Sequence, residues 1–152
     1  FKNDFKITCI DNWSQHFFSE KFPDPEQIFK KNIKECLSTK TEYNFINNDF
    51  RKVDYNNIGK YNIYLFDGPH HFEDHFEGIT LVQPALTDKY ILIVDDWNWD
   101  QVRNGTTAAI EELKLKVISK LEIRTTHDGS NALMMGKDSD WHQGYCFFVI
   151  EK

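Results

Sequence analysis

The sequence predicts an α/β domain built on a mostly parallel sheet, with helices on both faces and an antiparallel C-terminal strand. Three observations predict it. Short apolar runs rich in branched and aromatic residues alternate with stretches of helical period. Several of those runs end abruptly in Asp or Asn, as strands do where they hand over to a turn. The last two runs are joined by a Gly-, Ser- and Asp-containing stretch with no evident long helix, which lets them pair antiparallel.

The elements follow in order. "KITCI" (6–10) is a buried strand ending at Asp11. Asp24 caps a helix with Pro25 in its first turn, and Ile28, Phe29, Ile33 and Leu37 share one face. "EYNFINND" (42–49) is the second strand and "YNIYLFDG" (61–68) the third, with the content that suits a pleated surface. A helix follows up to Val82, with Phe72, Phe76, Ile79 and Val82 facing inward, and Pro84 prevents its continuation. "KYILIVDD" (89–96) is the fourth strand. "GTTAAIEELKLKV" (105–117) is a helix starting near Thr106 or Thr107, with Glu111 and Glu112 in its early turns. "SKLEIRTT" and "GYCFFVIEK" are the fifth and sixth strands.

Composition bounds the function. The 152 residues are 40% hydrophobic and 15% aromatic, enough for a packed core rather than disorder. A net charge of −6 argues against non-specific binding to nucleic acid or an anionic membrane. No apolar run approaches the roughly 18 residues of a membrane span. Cys9, Cys36 and Cys146 form no metal-binding or redox pattern and read as free thiols of a reducing, cytoplasmic setting.

In a parallel α/β sheet, ligands sit beyond the carboxyl ends of the strands. Asp11, Asn48–Asp49, Asp67–Gly68 and Asp95–Asp96 all stand there. Any one alone is a turn residue or a helix cap; together they mark a site. Asp67 meets Asp95 and Asp96 if the third and fourth strands are neighbours. Three close carboxylates cannot all stay ionised without compensation. An oxygen-preferring divalent cation such as Mg²⁺ would supply it. The plain alternative has Asp96 capping the next turn and Asp95 solvated.

His70 and His71 follow Asp67 and suit general base work, or are simply turn residues. His71 and His75 have the spacing of two zinc ligands on one helix face, with no third ligand in support. His16, His127 and His142 read as surface or rim residues. Asp11 stands where nucleotide-binding α/β folds place an acid on the ribose, and Asn48–Asp49 where an adenine would border. Trp97 and Trp99, beside the acidic pair, suggest pocket walls, and with Trp13 suit a flat or ring-shaped ligand. Arg103 either recognises an anion or pairs with a nearby acid.

With these residues in place, "ITCIDNW", "NNDF", "IYLFDGPHHFEDHFEGI", "ILIVDDWNWDQVRNGTTAAI" and "GYCFFVIEK" resemble class I S-adenosylmethionine-dependent methyltransferases. The likeness is to the small-molecule O-methyltransferases that include macrocin O-methyltransferase and, more distantly, catechol O-methyltransferase. It covers nearly all the chain from Lys6 onward. The resemblance implies a Rossmann-like fold. It implies S-adenosylmethionine held by Asp11, Asn48, Asp49 and Asp67, and a divalent cation (Mg²⁺ or another) held by Asp67, Asp95 and Asp96. His70 is then the base acting on a small-molecule or sugar hydroxyl, and Trp97, Trp99, Trp13 and Arg103, read from the residues themselves, would line the substrate pocket.

The family's first strand and glycine-rich loop have no counterpart before Asp11. The chain begins with Phe1 rather than Met, so the expectation is one domain over residues 1–152, a piece of a longer polypeptide and an N-terminally incomplete methyltransferase fold. Two other functions compete: a non-catalytic methyltransferase-like binding or assembly domain, and a metal-dependent hydrolase using the same acids. Nucleic acid and membrane are not expected partners; a homodimer is left open.

Overall fold

The computed structural model describes residues 5–14, 24–37, 40–132 and 141–152. His16 lies outside them. The chain divides into two compact units, Phe1–Val53 and Asp54–Lys152.

In the first unit the predicted strands form β1 (Phe5–Asp11) and β2 (Thr41–Asn47), a parallel pair in register from Phe5 opposite Thr41 to Asp11 opposite Asn47, but β1, expected to be buried, has only exposed and half-buried residues. Helix α1 (Pro25–Cys36) joins them. Its cap is the predicted one: the Asp24 carboxylate accepts a hydrogen bond from the Gln27 amide at 2.9 Å. Phe29 of α1 packs on Phe45 of β2 with ring centroids 5.7 Å apart.

The second unit carries β3 (Tyr61–Phe66), α2 (Phe72–Leu81), β4 (Leu86–Val94), α3 (Asp100–Glu112), β5 (Lys116–Ile123) and β6 (Tyr145–Glu151). Its sheet has the order β3-β4-β6-β5. β3 and β4 are parallel, and β6 runs antiparallel between β4 and β5, the β5–β6 pairing being the one the sequence predicts. Ile79, Val82, Leu92, Val94, Val102 and Ile150 are buried in the core of this unit. On β3, Ile63 and Leu65 remain 55% and 53% exposed.

Three predicted elements shift. Helix α2 turns its His75, Gly78 and Ile79 inward, whereas Phe72 is exposed and stacks on Phe76 at 6.2 Å. Helix α3 starts at Asp100, five residues before the predicted start at Gly105, so Thr106 lies inside the helix and is buried. Strand β5 begins at Lys116, inside the segment read as helix.

Packing explains the glycine that now lies inside α3. A methyl on Gly105 would lie 2.3 Å from the Phe72 carbonyl oxygen and 3.0 Å from His75 Cβ. The glycine is there so that α3 can approach α2, not to open a helix. Gly105→Ala is therefore expected to destabilise the fold by about 1–3 kcal/mol by overpacking, despite alanine's better helix propensity. Urea unfolding measures it; an alanine variant as stable as the parent would contradict the close approach.

Candidate functional site

The topology of the second unit gathers one rim. Because β3 and β4 are parallel, Asp67 and the Asp95–Asp96 pair leave the sheet at the same end. Because β6 is antiparallel to β4, with Cys146 opposite Val94, Tyr145 enters the sheet at that same end. β5 finishes there too, with Ile123 opposite Tyr145.

The two adjacent carboxylates have separate partners. Asp96 Oδ2 lies 2.7 Å from His70 Nε2. Asp95 Oδ2 accepts a hydrogen bond from the Tyr145 hydroxyl at 3.0 Å, and Asp95 Oδ1 accepts one from the Asp96 amide at 2.7 Å. Asp96 itself has a positive φ of 55°, unusual for a residue other than glycine, which lets two successive carboxylates face different partners. Trp99 meets the His70 ring edge-on at 4.4 Å.

Electrostatics follow this wiring. The hydrogen bond to Asp96 raises the His70 pKa above its usual value; burial opposes it, and the charges of Asp96, Asp67 and Asp95 add to it. Burial raises Asp95, against the hydrogen bonds it accepts from the Asp96 amide and Tyr145. Tyr145 is pushed up to about 12, by burial first and then by its bond to Asp95. His75, beneath in the core, is pushed down to about 4 by burial and then by the charge of His70.

This arrangement changes the reading of the acids. Among the described residues no three His, Cys, Asp or Glu side chains converge as a metal-ligand set. Asp96 is committed to an imidazole and Asp95 to a phenol, so Asp67, Asp95 and Asp96 as placed do not fit a shared Mg²⁺. The partner that Asp96 finds is instead the His70 ring, and Tyr145 is the partner of Asp95. The zinc reading gains no third ligand either, since no such set is found among the described residues, and His75 is buried in the core. His71 is the N-cap of α2, its amide donating to Asp74 Oδ2 at 3.0 Å.

The tryptophans separate. Trp97 is 1% exposed and packs edge-on against Phe148 at 5.6 Å, so it is core rather than pocket wall. Trp99 does sit at the site. Arg103 donates to the backbone oxygens of Trp97 at 2.7 Å and Asn98 at 2.5 Å, and pairs with Asp100. It is a clamp on the turn that follows β4, and of its two predicted roles the pairing is the one realised. Trp13 belongs to the first unit, against Phe29 at 5.5 Å and Phe45 at 5.7 Å.

In that first unit Asp11 ends β1 exposed, with Oδ1 accepting from the Trp13 amide at 2.7 Å. The Asn48 amide donates to the Asp11 carbonyl at 3.1 Å, and Asp49 caps the short 3₁₀ turn Phe50–Lys52 through the Arg51 amide at 3.0 Å. Parallel pairing thus brings Asp11 and Asn48 together at one strand end.

Tyr145 was not legible in the sequence. An aromatic at the start of a strand carries no local mark, and its partner Asp95 lies 50 residues away. The cysteines are free thiols, as expected, and burial pushes the Cys146 thiol up to about 12.

No protein-family model and no curated protein matches the chain. Solved structures do share its fold. A candidate SAM-dependent methyltransferase from Streptococcus mutans superposes with a TM-score of 0.55 at 10% identity, covering 95% of this chain and 38% of that one. A second candidate methyltransferase, complexed with SAH, gives a TM-score of 0.50 at 12% identity, over 95% of this chain and 38% of that one. A candidate methyltransferase from Thermoplasma acidophilum gives 0.51 at 13% identity, over 97% of this chain and 57% of that one. The α/β fold is therefore one that methyltransferase structures share, and the chain spans 38–57% of their lengths. Among the described residues no helix is long and apolar enough to cross a membrane.

Proposed function

We propose that the chain is part of an S-adenosylmethionine-dependent O-methyltransferase that acts on a hydroxyl of a small molecule or sugar. The single observation that carries this is the His70–Asp96 pair at 2.7 Å, set at the end of the parallel strands. The shared fold, and the SAH held by one of the structures that share it, support the choice of donor. Asp11 is proposed to hold the donor's ribose, Asn48 and Asp49 its adenine, and Asp67 to take part in its binding.

S-adenosylmethionine, when bound, would supply an electrophilic methyl carbon on a sulfonium, whose carbon–sulfur electron pair leaves with the sulfur as the thioether SAH. The chain's own work is proton handling and positioning. Asp96 takes the Nε2 proton of His70 in a hydrogen bond and fixes the ring, which leaves Nδ1 to accept the acceptor's hydroxyl proton. As that O–H bond breaks, its electron pair becomes available to the methyl carbon. Asp96 and Asp95 stabilise the imidazolium that results. Trp99 restricts the ring from its edge. No step here needs a metal.

The test is transfer of isotopically labelled methyl from S-adenosylmethionine to hydroxyl-bearing acceptors by the full-length protein. Parallel reactions contain EDTA or Mg²⁺. O-methylated product that persists in EDTA is expected. Activity lost in EDTA and restored by Mg²⁺ would return Asp67, Asp95 and Asp96 to a metal role. Ester hydrolysis without any methyl donor would favour the hydrolase.

A further inference from the structure

We propose that Trp141 is the acceptor-recognition residue of this site, a platform on which the ring of an aromatic or sugar acceptor stacks. The inference deepens the methyl-transfer reading above and rests on it for its kinetic arm alone. Trp141 is 52% exposed, with a positive φ of 65° that bulky side chains rarely adopt. An exposed indole is unremarkable by itself; one held in a disfavoured backbone conformation has something holding it.

What holds it is a buried polar clamp. Asn98, fully buried, donates through Nδ2 to Thr125 Oγ1 at 2.7 Å and accepts at Oδ1 from the amides of Thr125 and Thr126 at 3.0 and 3.3 Å. Its amide donates to the Gln143 carbonyl at 2.8 Å, and the Trp97 amide to the Gly144 carbonyl at 3.1 Å. The Thr125 hydroxyl donates to the His142 carbonyl at 2.5 Å. Gly144, at a φ of 85°, closes the turn with its amide on the Trp141 carbonyl at 2.6 Å; a methyl there would lie 2.8 Å from Asn98 Oδ1. The turn that carries Asp95 and Asp96 is thus tied to the one that carries Trp141.

The clamp sets the indole beside the chemistry. Trp141 meets the Tyr145 ring edge-on at 5.9 Å, and the hydroxyl of Tyr145 is the donor to Asp95. Trp141 also meets Phe147 edge-on at 6.3 Å and keeps half its surface exposed, and an indole binds a ring by stacking and by contact with sugar C–H groups.

The experiment compares Trp141→Asn, which tolerates a positive φ while removing the ring, with Trp141→Phe, in the full-length protein. Resorcinol is the flat hydroxyl-bearing probe, followed by equilibrium binding and by methyl transfer. The asparagine variant is expected to weaken resorcinol binding about five- to tenfold, the size of one aromatic contact. In the kinetics the loss falls on KM rather than kcat, and phenylalanine recovers most of it. Equal resorcinol affinity in the parent and the asparagine variant overturns the proposal, as does a parent that does not bind resorcinol. Trp141-dependent binding without any methyl transfer would sink the methyltransferase reading and leave the platform standing.

Discussion

Replacing His70 with alanine is expected to lower methyl transfer by about 10²- to 10⁴-fold, the usual worth of a positioned general base. The fold should survive, because His70 lies in the turn after β3 and its side chain is partly exposed. The companion variant is Asp96→Asn, and its effect has a sign. Transfer needs the neutral ring, so the parent's rate should climb as pH rises through the raised His70 pKa. Asp96 is the main cause of that raised value. Removing its charge should move the acidic limb of the pH–rate profile to lower pH while lowering the plateau, because a fixed ring is lost as well. A profile that stays in place in Asp96→Asn would show that the pair does not govern the reaction.

His75→Leu is expected to make the protein markedly less sensitive to acid. His75 is buried in the neutral form with its pKa pushed down to about 4, and both ring nitrogens lack partners. Unfolding returns it to an ordinary value near 6.5. The unfolded chain therefore binds the extra proton first as pH falls. Stability fully present above about 6.5 is lost progressively down to about 4, by about 3 kcal/mol in all. Leucine removes that linkage. It also removes two unpaired buried polar atoms, so the variant should gain stability at pH 7 on the order of 1–3 kcal/mol. Urea unfolding at a series of pH values between 4 and 7 measures both effects. Parallel stability curves for parent and variant would show that His75 is not held neutral.

Much of the architecture was legible because strands announce both their apolar body and their polar end. "IYLFD" and "ILIVDD" read correctly as β3 and β4, and the parallel pairing that sets Asp67 and Asp95–Asp96 on one rim follows from them. What could not be read is what depends on neighbours. Gly105 looks like a helix opener until α2 is seen 2.3 Å from where its side chain would stand. Phe72 and Phe76 look like a core stripe, but each satisfies the other at the surface while His75 takes the interior, edge-on to Phe66 at 5.0 Å.

The same division runs through the site. The adjacent aspartates posed an electrostatic problem that the sequence could state, with a cation as one answer. His70, also singled out, proves to be the hydrogen-bond partner of one carboxylate, and Tyr145, with no motif of its own, takes the other. Asn98 and Gly144 were invisible for a similar reason: each acts on a turn distant in sequence.

The measurement that bears most directly on the central claim is calorimetric titration of S-adenosylmethionine into the full-length protein, repeated with SAH as competitor. Saturable binding at one site, displaced by SAH and unchanged by EDTA, is the predicted result. The absence of a binding heat, with or without Mg²⁺, would contradict it.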